Sequence, residues 1–130
     1  MDNKDCAFCK IGRGETAVHK VYEDESVLGF LDSQPINPGH TLVIPKNHVD
    51  EFQDMSEDLY EHVMSVAQIV ARKIKGKLSP PRVGLWVHGF EIPHAHIHVV
   101  PLNAPSDISA KRANNYDDGE LAAIAAKLKS

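Results

Sequence analysis

Three histidines alternate with apolar residues late in the chain, in the run His94-Ala95-His96-Ile97-His98-Val99-Val100. Successive side chains of a β-strand point to opposite faces of the sheet. The alternation therefore predicts a strand over residues 94–100, with the three imidazoles on one face and the intervening apolar side chains packed on a core. Because proline cannot donate a hydrogen bond to a strand ladder, we expect Pro101 to end the element.

A row of imidazoles contributes little to packing, and ring nitrogens buried without hydrogen-bond partners would cost free energy. Two functional interpretations therefore fit better than three solvated histidines on an edge strand. One is a metal cluster. In the other, His96 attacks phosphorus with one ring nitrogen while its second nitrogen donates to a fixed acceptor, and His98 donates to the phosphate oxygens. A neutral imidazole carries the lone pair that this second chemistry needs.

The rest of the pattern predicts one α+β domain over residues 1–130, built on a largely antiparallel sheet. Apolar residues at steps of three and four indicate a long helix over residues 55–75, with Asp54 as its N-cap and Gly76 as its terminator. A shorter helix is expected over Asp118–Lys129. Besides the histidine strand, further strands are expected over residues 18–23, 27–32, 41–44 and 83–88.

Composition excludes several classes of protein. The chain of 130 residues has a net charge of −4, which argues against a general nucleic-acid or anionic-membrane binder but is compatible with one small anionic ligand. No apolar run approaches the roughly 18–20 residues of a membrane span. The polar, acidic start of the chain does not have the pattern of a signal peptide, so we expect a cytoplasmic protein.

Cys6 and Cys9 form a Cys-x-x-Cys pair near the start of the chain. A redox motif of this kind follows a strand, and nothing upstream of Cys6 is able to form one. The pair is either half of a metal site, because thiolates are good zinc ligands, or two small residues that pack beneath Phe8. From the pair alone, both interpretations remain open.

The histidine run resembles the signature of the histidine triad family. The segment Pro38-Gly39-His40-Thr41-Leu42-Val43-Ile44-Pro45-Lys46-Asn47-His48 is also similar to the bacterial branch of that family, as are shorter segments at 8–11, 21–24 and 30–32. The resemblance implies a roughly five-stranded antiparallel sheet with one long and one short helix. It also implies a homodimer whose sheets join across the interface.

The same resemblance implies an activity. Family members of this kind are nucleotide hydrolases or nucleotidyl transferases that cleave at the α-phosphate of a purine nucleotide through a covalent nucleotidyl-histidine. The substrate would be a phosphoramidate or a dinucleoside polyphosphate. His96 corresponds to the nucleophile, His98 to a phosphate ligand and His40 to the residue that orients His98. Asp32 corresponds to the carboxylate that holds the ribose hydroxyls.

Other positions of the chain match the family's binding sites. Phe8 and Ile11 correspond to the apolar wall against the base, and Gly89 to a glycine of the loop before the histidines. No organic cofactor is expected. The zinc ligands of the bacterial branch correspond to Cys6, Cys9, His48 and His94. Two thiolates and two imidazoles close a tetrahedron, which is typical of a structural zinc site.

The chain departs from the family just before the histidines. Phe90 stands where a glutamine that touches the phosphate is expected, and phenylalanine has no hydrogen-bond donor. His88 either supplies the missing contact or is a solvated loop residue. The substitution keeps a second function open, a nucleotide-binding regulatory protein with little turnover. A metalloenzyme that uses the three histidines as ligands is the third alternative.

Overall fold

A computed structural model of the chain describes residues 5–109 and 116–130. The strands are β1 (Lys20–Glu23), β2 (Val27–Leu31), β3 (Thr41–Pro45), β4 (Arg82–Trp86) and β5 (Ile97–Leu102). The helices are α1 (Ala7–Gly12), α2 (Glu57–Leu78) and α3 (Asp118–Lys129), with short 3-10 turns at Phe52–Asp54 and Pro105–Ser109. The strands form one sheet in the order β1-β2-β3-β5-β4, and every neighbouring pair is antiparallel.

This architecture confirms the predicted α+β class and its five-stranded antiparallel sheet. The structure adds a third helix, α1, which the sequence pattern did not reveal because it is only six residues long. The predicted bounds of α3 are confirmed, and its N-cap is Asp117, whose side chain accepts from the backbone N–H of Glu120. Residues 1–4, on which the expectation about a signal peptide depends, lie outside the described residues.

The two faces of the sheet are both covered, but by different elements. One face packs against α2 and α3 and forms the main core, which includes Val27, Val43, Ile97 and Val99. The opposite face carries a smaller apolar cluster under α1, formed by Phe8, Cys9, Leu28, Phe30, Leu42, Ile44 and their neighbours. The three histidines of the run lie beside this smaller cluster. His98 is the cross-strand partner of Leu42, and the Phe8 ring contacts the rings of His94 and His96.

The long helix α2 buries the apolar stripe that its spacing predicts, with Val63, Val66, Val70 and Ile74 fully enclosed. Its predicted ends were wrong. Ser56, not Asp54, is the N-cap, and its side chain accepts from the backbone N–H of Leu59.

At the other end, α2 continues through Gly76 and stops at Leu78. Ser79 takes a left-handed conformation with φ of 53°, and two prolines follow it. A residue before proline is disfavoured in the helical region, so the Pro80-Pro81 pair rather than the glycine terminates the helix. Among the described residues, no helix is long and apolar enough to cross a membrane.

The histidine strand begins later and ends later than predicted. β5 covers Ile97–Leu102, so His94 and His96 precede the strand, and Pro101 lies inside it rather than ending it. Pro101 pairs with Val83 of β4, whereas the ladder with β3 ends at the pair Thr41 and Val99. Since β3 does not extend beside Pro101, its missing N–H leaves no gap in that ladder.

β1, β2 and β4 are shorter than the runs that predicted them, whereas β3 is one residue longer than predicted because it includes Pro45. β1 begins at Lys20 rather than residue 18, and β2 ends at Leu31, which places Asp32 in the following turn. β4 ends at Trp86, so His88 lies in the loop that leads to the histidines. A strand ends where its neighbouring strand stops pairing with it. A run of apolar residues carries no information about the length of that neighbour.

Candidate active site

His96 is held in one tautomer by the backbone. Its ring is almost fully buried, and its Nδ1 lies 2.7 Å from the carbonyl oxygen of His94. A carbonyl oxygen only accepts hydrogen bonds, so Nδ1 carries the proton and donates it. In the neutral ring the lone pair is therefore on Nε2, which is the arrangement that a nucleophilic imidazole requires.

His40 and His98 form a directed pair beside His96. The backbone N–H of Ile36 donates to Nδ1 of His40 over 3.1 Å, so the proton of the neutral His40 ring lies on Nε2. That Nε2 is 3.0 Å from Nδ1 of His98 and donates to it. The proton of His98 is consequently on its own Nε2, which makes His98 a hydrogen-bond donor. The His98 ring lies 5.0 Å from the His96 ring, centroid to centroid.

Asp32 joins the same group of side chains from the turn after β2. It is buried, and one carboxylate oxygen, Oδ1, accepts from the backbone N–H of Gln34 over 2.9 Å. The other oxygen, Oδ2, is 3.7 Å from Nε2 of His40. Asp32 therefore caps its own turn and also faces the imidazole pair with its second oxygen.

Phe8 and Ile11 reach this region because α1 lies across the smaller apolar cluster. Both are buried, with 6% and 9% of their surface exposed. The Phe8 ring meets the His96 ring edge to face, with centroids 5.0 Å apart, and meets Phe30 in the same way at 5.6 Å. Phe8 thus supports the apolar side of the His96 ring.

The end of β4 and the loop that follows it contribute side chains to which the sequence analysis gave no definite role. His88 stacks on His98, with ring centroids 4.9 Å apart and planes 15° from parallel. Trp86 stacks on the same ring at 6.1 Å, because it is the cross-strand partner of His98. The sequence did contain a signal for these contacts. Residues at every second position of a strand share one face, and this period links Trp86 and His88. Phe90, at the tip of the loop, is 91% exposed.

The four predicted metal ligands come together at the start of α1. The ligand atoms of Cys6, Cys9, His48 and His94 all lie within 4.8 Å of one another. Nδ1 of His94 is 3.3 Å from Sγ of Cys6 and 3.5 Å from Sγ of Cys9, and Nδ1 of His48 is 3.3 Å from Sγ of Cys9. Zn–S bonds of about 2.3 Å and Zn–N bonds of about 2.0 Å at tetrahedral angles give similar S–N separations, about 3.5 Å.

The protonation of His94 also fits a metal ligand. Its Nε2 is 2.7 Å from the carbonyl oxygen of Pro45 and must donate to it. The lone pair of the neutral ring is then on Nδ1, the atom that faces the two thiols. A backbone acceptor on the far nitrogen is the usual support of a metal-bound histidine. The donor set therefore fits zinc.

Asp32, His40 and His98 also have ligand atoms close enough for a metal ion. The protonation pattern argues against one. His40 receives a hydrogen bond on Nδ1, so its Nε2 bears a proton and has no lone pair for a metal.

The model of the HIT domain family matches residues 13–104 of the chain. Among curated proteins, an uncharacterized HIT-like protein of Borreliella burgdorferi is 38% identical over 120 residues, which cover 87% of this chain and 86% of the relative. An adenylylsulfatase of Arabidopsis thaliana is 34% identical over 102 residues, which cover 75% of this chain and 52% of the relative.

Solved structures share the fold. A Hit-like protein from Bartonella henselae superposes with a TM-score of 0.89 at 26% identity and covers 98% of this chain and 96% of its own. A zinc-bound histidine triad family protein from Mycobacterium smegmatis superposes with a TM-score of 0.80 at 29% identity, covering 96% and 91%.

Proposed function

Because the chain belongs to the HIT domain family, we propose that it is a nucleotide hydrolase or nucleotidyl transferase that cleaves a purine nucleotide at its α-phosphate. The substrate is a phosphoramidate or a dinucleoside polyphosphate. The similarity to an adenylylsulfatase supports a nucleotide substrate. The observation that carries the proposal is the hydrogen bond from Nδ1 of His96 to the His94 carbonyl, because it puts the lone pair on Nε2.

The proposed reaction has two displacements at phosphorus. In the first, Nε2 of His96 attacks the α-phosphorus, an N–P bond forms, and the bond to the leaving group breaks with its electron pair going to that group, which takes up a proton. The adduct gives the His96 ring a positive charge. The His94 carbonyl, as the acceptor of Nδ1–H, stabilises that charge.

In the second displacement, water attacks the same phosphorus and loses a proton to solvent. The N–P bond breaks, its electron pair returns to Nε2, and nucleoside monophosphate is released. Throughout both steps, the Nε2–H of His98 donates to a phosphate oxygen, and the hydrogen bond from His40 keeps that donor in place. Positioning and charge stabilisation supply most of the rate in such a transfer.

The other predicted residues surround the nucleotide in this proposal. The carboxylate of Asp32 holds the ribose hydroxyls, Phe8 and Ile11 form the apolar wall of the base site, and Gly89 lets the loop approach the phosphate. Cys6, Cys9, His48 and His94 would hold a zinc ion, which supplies only a structural cross-link between α1 and the segment before β5.

We also propose a homodimer. β4 is an edge strand of the sheet, and beside it a groove of about 650 Å³ runs between β4 and α2. Tyr60 and Leu85 line this groove and are 41% and 44% exposed. A second copy placed here would cover both the strand edge and the apolar side chains.

The test compares wild type with His96→Asn on two substrates, an adenosine 5′-phosphoramidate and a diadenosine polyphosphate. Release of AMP should fall by more than about 10³-fold in the variant, because the nucleophile is gone. Binding of AMP, measured by calorimetry, should persist. The matched control is His19→Asn, which removes an imidazole bonded to the exposed carboxylate of Asp118 rather than to any of the proposed site residues.

Two outcomes would contradict this proposal. Turnover that persists in His96→Asn would exclude the adduct. A wild-type protein that binds AMP but turns over neither substrate would favour the second candidate, a regulatory nucleotide-binding protein. The observation behind that candidate is Phe90, whose exposed ring offers the phosphate no donor.

A further inference from the structure

An aromatic stack leads from the candidate phosphate ligand out to solvent. His88 lies on His98 at 4.9 Å, and Phe90 lies on the His88 ring at 5.9 Å with planes 23° from parallel. We call His98, His88 and Phe90 the loop stack. Its inner ring is fully buried, whereas Phe90 is 91% exposed.

The backbone, rather than packing, holds Phe90 in this position. Gly89 has a φ of 75°, a conformation that glycine adopts without strain, and it turns the chain back over His88. The backbone N–H of Phe90 then donates to Nδ1 of His88 over 3.3 Å. A ring this exposed contributes almost nothing to the core, and single exposed apolar residues are common. The alignment of this ring with the two imidazoles sets it apart from such residues.

We propose that the loop stack is the leaving-group subsite and that it favours substrates whose leaving group carries a planar aromatic ring. The inference rests on the proposed function. In a displacement at phosphorus, the leaving group departs roughly opposite the attacking atom, here Nε2 of His96. The His88 ring is 6.1 Å from the His96 ring and 4.9 Å from the His98 ring, so the stack is adjacent to both imidazoles that contact the phosphate in the proposed reaction.

The chemistry of the stack selects flat rings. The exposed face of Phe90 gives an aromatic group an offset or edge contact that a saturated ring of the same size cannot match. The bond from Phe90 N–H leaves the proton of the neutral His88 ring on Nε2, where it can donate to an oxygen of the substrate. A planar group linked to phosphate therefore meets one ring face and one donor.

The experiment separates this subsite from turnover. Two adenosine 5′-phosphoramidates, of 2-phenylethylamine and of 2-cyclohexylethylamine, differ in planarity but share chain length and a primary amine. Their affinities are measured by calorimetry in the His96→Asn background, where neither is consumed. The aromatic compound should bind about two- to tenfold more tightly. Adding Phe90→Leu should bring the ratio close to one, and adding Phe90→Tyr should preserve it.

Any other result contradicts the proposed leaving-group subsite. It is wrong if the ratio is already near one with Phe90 present, if Phe90→Leu leaves it unchanged, or if neither compound binds. A wild-type protein that cleaves neither compound contradicts the proposed function instead, and the binding ratio still decides on the subsite. With a wild-type enzyme that does turn over, the same preference should appear in kcat/KM.

Discussion

The carbonyl oxygen of His94 accepts the hydrogen bond that holds His96, while the side chain of His94 faces the two thiols of Cys6 and Cys9. One residue therefore connects the candidate nucleophile to the candidate metal site. Its ring is anchored a second time through Nε2 to the carbonyl of Pro45, at the end of β3. Anything that loosens this residue should disturb the orientation of His96.

Replacing His40 should slow turnover more than it weakens binding. In His40→Phe, the ring volume is retained, but the donor that fixes the tautomer of His98 is lost. We expect kcat to fall by on the order of 10²-fold, since misplacing a positioned group has effects of this size. His40→Gln, whose amide can donate, should recover part of the loss. If kcat is unchanged in a variant with wild-type thermal stability, His98 does not depend on His40.

The protein should contain about one zinc ion per chain, bound by its cysteines and histidines. Elemental analysis of the double variant Cys6→Ser, Cys9→Ser should find none, and its Tm should fall by roughly 5 °C or more because metal binding stabilises the folded state. kcat should fall as well, through His94. Stoichiometric zinc in the double variant would contradict the assignment.

Chelation of the wild-type protein is the companion measurement. It should lower Tm and activity together, since a structural metal acts through the fold. A chelated protein that keeps its Tm, loses all turnover and regains it on adding metal would instead indicate a catalytic metal.

A charge placed in the groove beside β4 should prevent dimer formation. Leu85→Arg puts a cation on the exposed edge strand, and desolvating it in an interface is costly. Sedimentation equilibrium should give a dimer for wild type and a monomer for the variant. Ile69→Arg is the control, because Ile69 is exposed on α2 outside the groove. A monomeric wild type at micromolar concentration would rule out the proposed dimer.

Acid should weaken the stabilisation that the hydrogen-bonded carboxylate of Asp24 gives to the fold. Burial raises the pKa of the Asp24 carboxyl group, but hydrogen bonds from Tyr22, Ser26, His62 and Val27 outweigh it and hold that pKa well below its usual value. A lowered folded-state pKa stabilises the protein above the unfolded-state pKa of about 3.9, and this stabilisation is lost as pH falls through the folded-state pKa.

Asp24→Asn should therefore reduce the free energy of unfolding, measured with urea at pH 7. The gap between the unfolding free energies of wild type and variant should narrow below about pH 4. Tyr22→Phe, which removes one of the hydrogen bonds, should give a smaller gap with the same pH dependence. A gap for Asp24→Asn that stays constant from pH 7 to pH 3 would contradict the account.

Local patterns were sufficient for the class of fold, for the five strands and for the helices α2 and α3. The alternation at residues 94–100 placed Ala95, Ile97 and Val99 in the main core and the imidazoles on the opposite side, because the period of two belongs to extended backbone itself. The apolar stripe on α2 predicted the buried face of that helix, because residues three and four apart lie on one side of a helix. The family likeness then supplied roles for the histidines and cysteines, which their spacing alone left open.

The ends of elements depended on contacts that a local pattern does not contain. Pro101 can lie within β5 because the ladder with β3 ends before it. The helix α2 continues through Gly76 and ends only where the two prolines after Ser79 interrupt it. The α1 helix was missed because six residues are too few for a helical period to be recognised.

The chemistry of the site was decided by long-range geometry. His40 and His98 are 58 residues apart in the chain, and Cys6 and His94 are 88 apart, so only the sheet register and the position of α1 bring each pair within hydrogen-bonding distance. The family likeness was enough to propose a nucleophile and a set of metal ligands. Which ring nitrogen carries each proton follows from the backbone groups placed beside it, and those positions exist only in the folded chain.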